Sequence, residues 1–146
     1  MDKYATHLEA LVATALATDG RILELGCGDY STPVLAAIAK AEGREFIVQT
    51  ADEVWASKFE DIVTPEIVDW EAWEPPDYFG MALLDCDLHT SRRLQLIPKL
   101  AKVRSPVVVH DAQIMRNYKD WQAMVDLYAE VKYYTRYATE TAVLLP

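Results

Sequence analysis

The sequence predicts an α/β fold: one domain on a mostly parallel, doubly wound sheet of seven strands, closed by a C-terminal antiparallel hairpin. Three observations predict it. Short apolar runs alternate with stretches of helical periodicity along most of the chain. The first such run passes directly into a glycine-rich loop. The last two runs lie too close together for the long crossover that a parallel pair needs, so they must pair antiparallel.

Each element follows from local pattern. Leu8, Leu11, Val12, Ala15 and Leu16 recur at helical spacing, so a helix runs to about Thr18 and stops at Asp19 and Gly20. Arg21 to Leu25 is the first strand. Thr32 is the expected cap of the next helix, with Pro33 at its first position and Glu42-Gly43 at its end. Glu45 to Val48 is the second strand, and Trp55, Phe59 and Ile62 place a helix from Asp52 to about Asp61. A short third strand is expected around Glu66 to Asp69. Tyr78 to Asp85 is continuously apolar at its centre, as a strand covered on both faces must be. Thr90 to Val103 reads as a helix that Pro98 should kink or break. Pro106 to Val109 is the fifth strand, and Trp121, Val125 and Tyr128 mark a further helix. Val131, Tyr133, Thr135 and Tyr137 alternate with polar neighbours as a half-buried strand, and Ala142 to Leu145 completes the hairpin.

Bulk properties narrow the function. The 146 residues suit one domain spanning the whole chain, and 51% hydrophobic residues can build a core without staples. No apolar run is long enough for a bilayer, and the N-terminus lacks the layout of a signal peptide. Cys27 and Cys86 form no disulfide framework or zinc pattern, which suits buried thiols in a reducing cytoplasm. A net charge of −9 argues against a grip on nucleic acid, and the local basic spot at Arg92, Arg93, Lys99 and Lys102 is too small to reverse that. Arg92 and Arg93 read as a solvated face. Exposed aromatics of the tail are expected to support a homodimer.

In an open parallel sheet, ligands bind beyond the carboxyl ends of the strands. The string ELGCGDYSTPVLA lies there, after strand one and before a helix. Gly26 and Gly28 allow a tight turn and close backbone approach, and the helix N-terminus favours an anionic group. Glu24 would suit a ligand's ammonium. A nicotinamide dinucleotide fits less well, because its third glycine would stand at Ser31 and no acid closes strand two. Asp85, Asp87, His89, His110 and Asp111 gather at the ends of strands four and five, where a histidine could move a proton. His89 is the better candidate base, His110 and Asp111 the next, and His7 reads as surface.

Glu24-x-Gly26-x-Gly28, the apolar strand closing in Asp85, and His110-Asp111 after strand five resemble class I S-adenosylmethionine-dependent methyltransferases, in the small-molecule, catechol-type-like branch. The resemblance runs from about Ile22 to Asp111 and implies a Rossmann-like methyltransferase sheet. It implies that Glu24, Gly26 and Gly28 hold the methionine end of the cofactor and that Asp85 lies beside the reacting methyl group. Cys27, Ser31 and Thr32 belong to the same loop, and Tyr30, where a third glycine often stands, is expected over the methionine tail. Strand two ends without the usual ribose-binding acid, so Gln49 or Thr50 takes that place unless Asp52 substitutes. Asp69 and Trp70 fit the adenine slot.

In the catechol-type branch, carboxylates at these two strand ends hold magnesium, which would fall to Asp85 and Asp111. Ala112 stands where that branch supplies an amide ligand, so the metal is not favoured. The expected function is methyl transfer to oxygen or nitrogen of a small molecule. The alternatives are S-adenosylmethionine binding without methyl transfer, as a regulatory or interaction module, and another reaction on the same cofactor.

Overall fold

The structure, a computed structural model, describes residues 5–86, 90–136 and 139–146. Its elements in chain order are α1 (Leu8–Leu16), β1 (Ile22–Leu25), α2 (Ser31–Glu42), β2 (Phe46–Thr50), α3 (Glu53–Ser57), β3 (Glu66–Ile67) and β4 (Met81–Leu84). There follow α4 (Thr90–Ala101), β5 (Val107–Val109), α5 (Ala112–Met115), α6 (Trp121–Val125), β6 (Glu130–Tyr134) and β7 (Thr141–Leu145). The seven strands form one sheet in the order β3-β2-β1-β4-β5-β7-β6. All neighbours from β3 to β5 pair parallel, and β7 runs antiparallel to both β5 and β6. This is the sheet expected from sequence.

Strand residues alternate between two cores. Leu23, Leu25, Ala82, Leu84, Val107 and Val109 face one side, where Leu94, Ile97 and Leu100 of α4 and Trp121 and Val125 of α6 cover them. Ile22, Met81, Leu83 and Val108 face the other side, packed by Leu11 and Ala15 of α1 and Leu35 and Ala39 of α2. Both faces are covered, so β1, β4 and β5 are buried at every position and read as unbroken apolar runs. Arg44 ties the end of α1 to the sheet, its Nη1 donating to the Ala15 carbonyl at 2.7 Å.

Local expectations needed correction at several points. Tyr30, not Thr32, is the N-cap of α2, and Thr32 lies in its first turn with its hydroxyl turned back to the loop. Pro33 is consequently the third helical residue, a first-turn position where no intrahelical N–H bond is lost. Helix α4 runs through Pro98 without interruption, because Leu94, Ile97 and Leu100 anchor it to the sheet across the one missing hydrogen bond. α3 ends at Ser57, well short of Asp61, although Asp52 does cap it by accepting from the Trp55 N–H at 3.0 Å. β6 ends at Tyr134; Tyr137 lies outside the described residues. No helix among the described residues is long and apolar enough to cross a membrane.

Candidate functional site

The parallel strands bring their carboxyl ends to one edge, and the loop after β1 is pressed there against the end of β4. Gly26 has φ +98°, and its N–H donates to the Gln49 carbonyl at 2.8 Å. A Cβ at Gly26 would stand 2.6 Å from the Asp85 carbonyl oxygen, so only glycine fits. The polar side chains of this segment bind one another. Thr32 Oγ1 accepts from the Gly28 N–H at 2.9 Å, and Ser31 Oγ donates to Glu24 Oε1 at 2.5 Å. Glu24 is fully buried, and burial pushes its carboxyl up to about 8 against the lowering hydrogen bonds of Ser31 and Thr32. Its Oε2 has no hydrogen-bond partner among the described residues. Cys27 is pushed up to about 12 by burial and the neighbouring charges of Glu24 and Asp52, which makes it a thiol rather than a nucleophile.

At the ends of β4 and β5, four side chains form one network. Arg93 Nη2 lies 3.0 Å from Asp85 Oδ1 and its Nη1 lies 3.7 Å from Asp111 Oδ2. The same guanidinium donates to the carbonyls of Cys86 at 2.7 Å and His110 at 2.9 Å. His110 Nδ1 meets Asp85 Oδ1 at 3.1 Å. Burial pushes the Asp85 carboxyl up, but the His110 hydrogen bond and the charges of His110 and Arg93 outweigh it and leave Asp85 below its ordinary value. For His110 burial pushes down, while the hydrogen bond and charge of Asp85, with Asp111, win and leave the imidazole above its usual range. Asp111 adopts the left-handed conformation (φ 57°, ψ 37°), uncommon outside glycine, which turns its carboxylate back toward Arg93.

Between loop and network lies a cavity of about 970 Å³. Of the residues singled out from sequence, Gly26, Cys27, Gly28, Tyr30, Thr50, Trp70, Asp85, His110 and Asp111 line it. Glu24, Ser31, Thr32, Gln49 and Asp69 do not. Gln49 is held inside, donating to Glu66 Oε2 at 2.7 Å and accepting from Trp73 Nε1 at 2.8 Å. Asp69 is exposed and receives the Glu71 N–H. Arg116 pairs with Glu140 away from the cavity. Asp87 and His89 lie outside the described residues. Trp70 also lines a neighbouring cleft of about 610 Å³ with Arg92, Gln95 and Lys99.

Two residues read as surface are in the site. Arg93 is not on a solvated face: it is buried against two carboxylates and two carbonyls, and only Arg92 stays toward solvent, beside Glu71. His7 is 2% exposed and lines the cavity, its ring centroid 4.4 Å from that of His110. Topology offered a signal for it. A helix joined to β1 by a short turn runs antiparallel to that strand, so its first residues stand at the carboxyl edge where ligands bind. Asp52 and Glu53, both exposed, extend the lining beyond Thr50.

No family model matches the sequence, and no curated protein matches it either. Solved structures do. TomG, an O-methyltransferase of Streptomyces achromogenes in complex with S-adenosylmethionine, is 17% identical with TM-score 0.61, over 96% of this chain and 77% of TomG. An O-methyltransferase from Bacillus cereus in complex with S-adenosylhomocysteine is 15% identical with TM-score 0.57, over 97% of this chain and 80% of that one. TYW2 of Pyrococcus horikoshii, bound to MeSAdo, is 15% identical with TM-score 0.58, over 95% of this chain. The chain spans only 61% of TYW2 and 62% of PH0793, another Pyrococcus horikoshii structure it resembles. These likenesses show the fold, a Rossmann-like methyltransferase sheet.

Proposed function

We propose that this chain transfers a methyl group from S-adenosylmethionine to oxygen or nitrogen of a small molecule. One observation carries the reading: a single cavity joins the glycine loop after β1 to the Asp85, His110 and Asp111 network. Its volume of about 970 Å³ is at the upper end of the ~300–1,000 Å³ typical of small-ligand sites, enough for a donor and a small acceptor together. Gly26, where a Cβ would collide with the Asp85 and Cys86 backbone, lets the loop pack against the end of β4 and so fixes its position along the cavity wall.

The bound cofactor supplies an electrophilic methyl on a sulfonium. Toward it, the backbone of Gly26, Cys27 and Gly28 would line the methionine end with Tyr30 beside them. Asp85, kept ionised, offers a fixed negative charge to the ammonium or sulfonium. Asp52 and Glu53 are the carboxylates available to ribose hydroxyls in place of an acid on β2, and Trp70 offers a flat apolar wall to adenine. Glu24, Ser31 and Thr32 act indirectly by holding the loop's shape. Catalysis of this kind rests mainly on alignment of acceptor and methyl. His110 and Asp111 border the acceptor side.

No magnesium is needed in this reading. Asp85, His110 and Asp111 bring donor atoms within 4.8 Å of one another, but the Arg93 guanidinium already pairs with both carboxylates. Exposed Asp29, Asp52 and Glu53 along the cavity disfavour a polyanionic substrate. Calorimetry with S-adenosylmethionine, S-adenosylhomocysteine and NAD tests the cofactor: binding of the first two and not the third is expected, and the reverse would sink the reading. Turnover against phenols, catechols and amines then separates transfer from binding alone.

A further inference from the structure

His7 is a buried side chain with no protein role visible in its surroundings. Neither Nδ1 nor Nε2 has a hydrogen-bond partner among the described residues, and the same holds for His110 Nε2. An unsatisfied buried polar group is costly, so a site of this kind is expected to receive a partner. Both histidines line the cavity, tilted 55° to each other. The two differ in one respect: His110 Nδ1 is held by Asp85, whereas no carboxylate among the described residues makes a hydrogen bond to His7.

We propose that His7 is a catalytic residue that takes the proton of a hydroxyl acceptor during methyl transfer, with His110 fixed beside it. The proposal rests on the methyl-transfer reading above and adds the base. In the step, the acceptor oxygen forms a bond to the methyl carbon as the methyl–sulfur bond breaks and its electron pair stays on sulfur. The O–H bond breaks, its proton passes to a ring nitrogen of His7, and water later carries it away.

The electrostatics agree. Among the described residues, the charged or titratable groups acting on His7 are His110, Asp85 and Asp111, and burial followed by His110 pushes its imidazole down to about 4 despite the two carboxylates. His7 is therefore neutral at neutral pH, with a free lone pair, while His110 is biased toward its charged form and has less to accept with. So weak a base cannot strip an ammonium in advance. It can take a hydroxyl proton late, because the oxygen becomes a far stronger acid as its bond to carbon forms.

The test uses the whole chain, S-adenosylmethionine, S-adenosylhomocysteine and a panel of simple phenols and catechols. His7→Gln is expected to lower kcat by ~10²-fold or more, with S-adenosylmethionine affinity by calorimetry and the melting temperature close to wild type. His7→Ala is expected to regain turnover when imidazole is added, which a purely structural role would not allow. Independently of activity, adding a phenol to the S-adenosylhomocysteine complex should shift the His7 ring resonances of histidine-labelled protein. Turnover of His7→Gln within about threefold of wild type, or His7 resonances unmoved by phenols that are turned over, would overturn the role of His7 and leave methyl transfer intact. Wild-type protein that does not bind S-adenosylmethionine, or binds it and methylates nothing in the panel, would overturn the underlying reading and this proposal with it.

Discussion

Arg93 is buried against Asp85, its Nη2 3.0 Å from Oδ1, and the same guanidinium reaches the carbonyls of Cys86 and His110. One cation from α4 thereby joins the ends of β4 and β5 and orders both walls of the candidate site. Removing it leaves the half-buried Asp85 and Asp111 with His110 as their remaining cationic partner among the described residues. Arg93→Met is expected to destabilise the fold by ~3–5 kcal/mol, as for other broken buried pairs. Arg93→Lys should recover only part, because an ammonium cannot span two carboxylates and two carbonyls. Urea unfolding checks this; a loss under about 1 kcal/mol for Arg93→Met, the scale of an exposed pair, would contradict it.

Glu24 should make stability depend on pH. Its carboxyl rises from an ordinary 4.5 to about 8 in the fold. The folded state therefore favours the protonated form, and that contribution is complete below the unfolded value and lost as pH rises through about 8. At ~1.4 kcal/mol per unit the effect is on the order of a few kcal/mol. Glu24→Gln, neutral and similar in shape, is expected to melt with a flatter pH dependence than wild type between about pH 5 and about pH 8. Parallel curves for the two proteins would show that Glu24 does not titrate as its burial requires.

Gly26→Ala combines two penalties. The backbone at φ +98° is unfavourable for any residue with a Cβ, and that Cβ would meet Asp85 and Cys86 backbone rather than a side chain able to move. A loss of ~2 kcal/mol or more in stability is expected, together with weakened S-adenosylmethionine binding. Gly43→Ala is the control: it shares a positive φ (65°) but has nothing within 4 Å of the added methyl. If both variants bind cofactor like wild type, the packing at Gly26 is not what positions the loop.

Methyl transfer should be indifferent to divalent cations. Arg93 already sits where a metal would have to satisfy Asp85 and Asp111. Turnover and S-adenosylmethionine affinity measured with EDTA and with added magnesium are expected to agree. A strong magnesium requirement would mean that Arg93 swings away and the carboxylates bind metal instead.

How much of this was readable beforehand depends on the kind of interaction. Gly26, Gly28 and Asp85 could be found because a chain at a strand end leaves a local mark: glycines for the turn, an acid closing an apolar run. The shortened α3 and the unbroken α4 could not, because tertiary packing decided where those helices end. Thr32 was found as a polar residue at a helix start, yet its partner is the Gly28 N–H inside the loop and not a helix amide of its own cap.

The sequence by itself determined the alternating elements, their mostly parallel sheet, the antiparallel close and the loop after β1. Those follow from residue periodicity and chain connectivity, which act between near neighbours. Only the tertiary structure decided what Arg93, His7 and Glu24 are. Charge, protonation and partners of a side chain depend on what distant segments bring against it: Asp85 and His110 against Arg93, His110 against His7, Ser31 and full burial against Glu24. A basic pair on a helix, a histidine before a helix and an acid in a strand look alike on paper whether they face water or the interior. Desolvation separates them, and desolvation is a property of the folded chain.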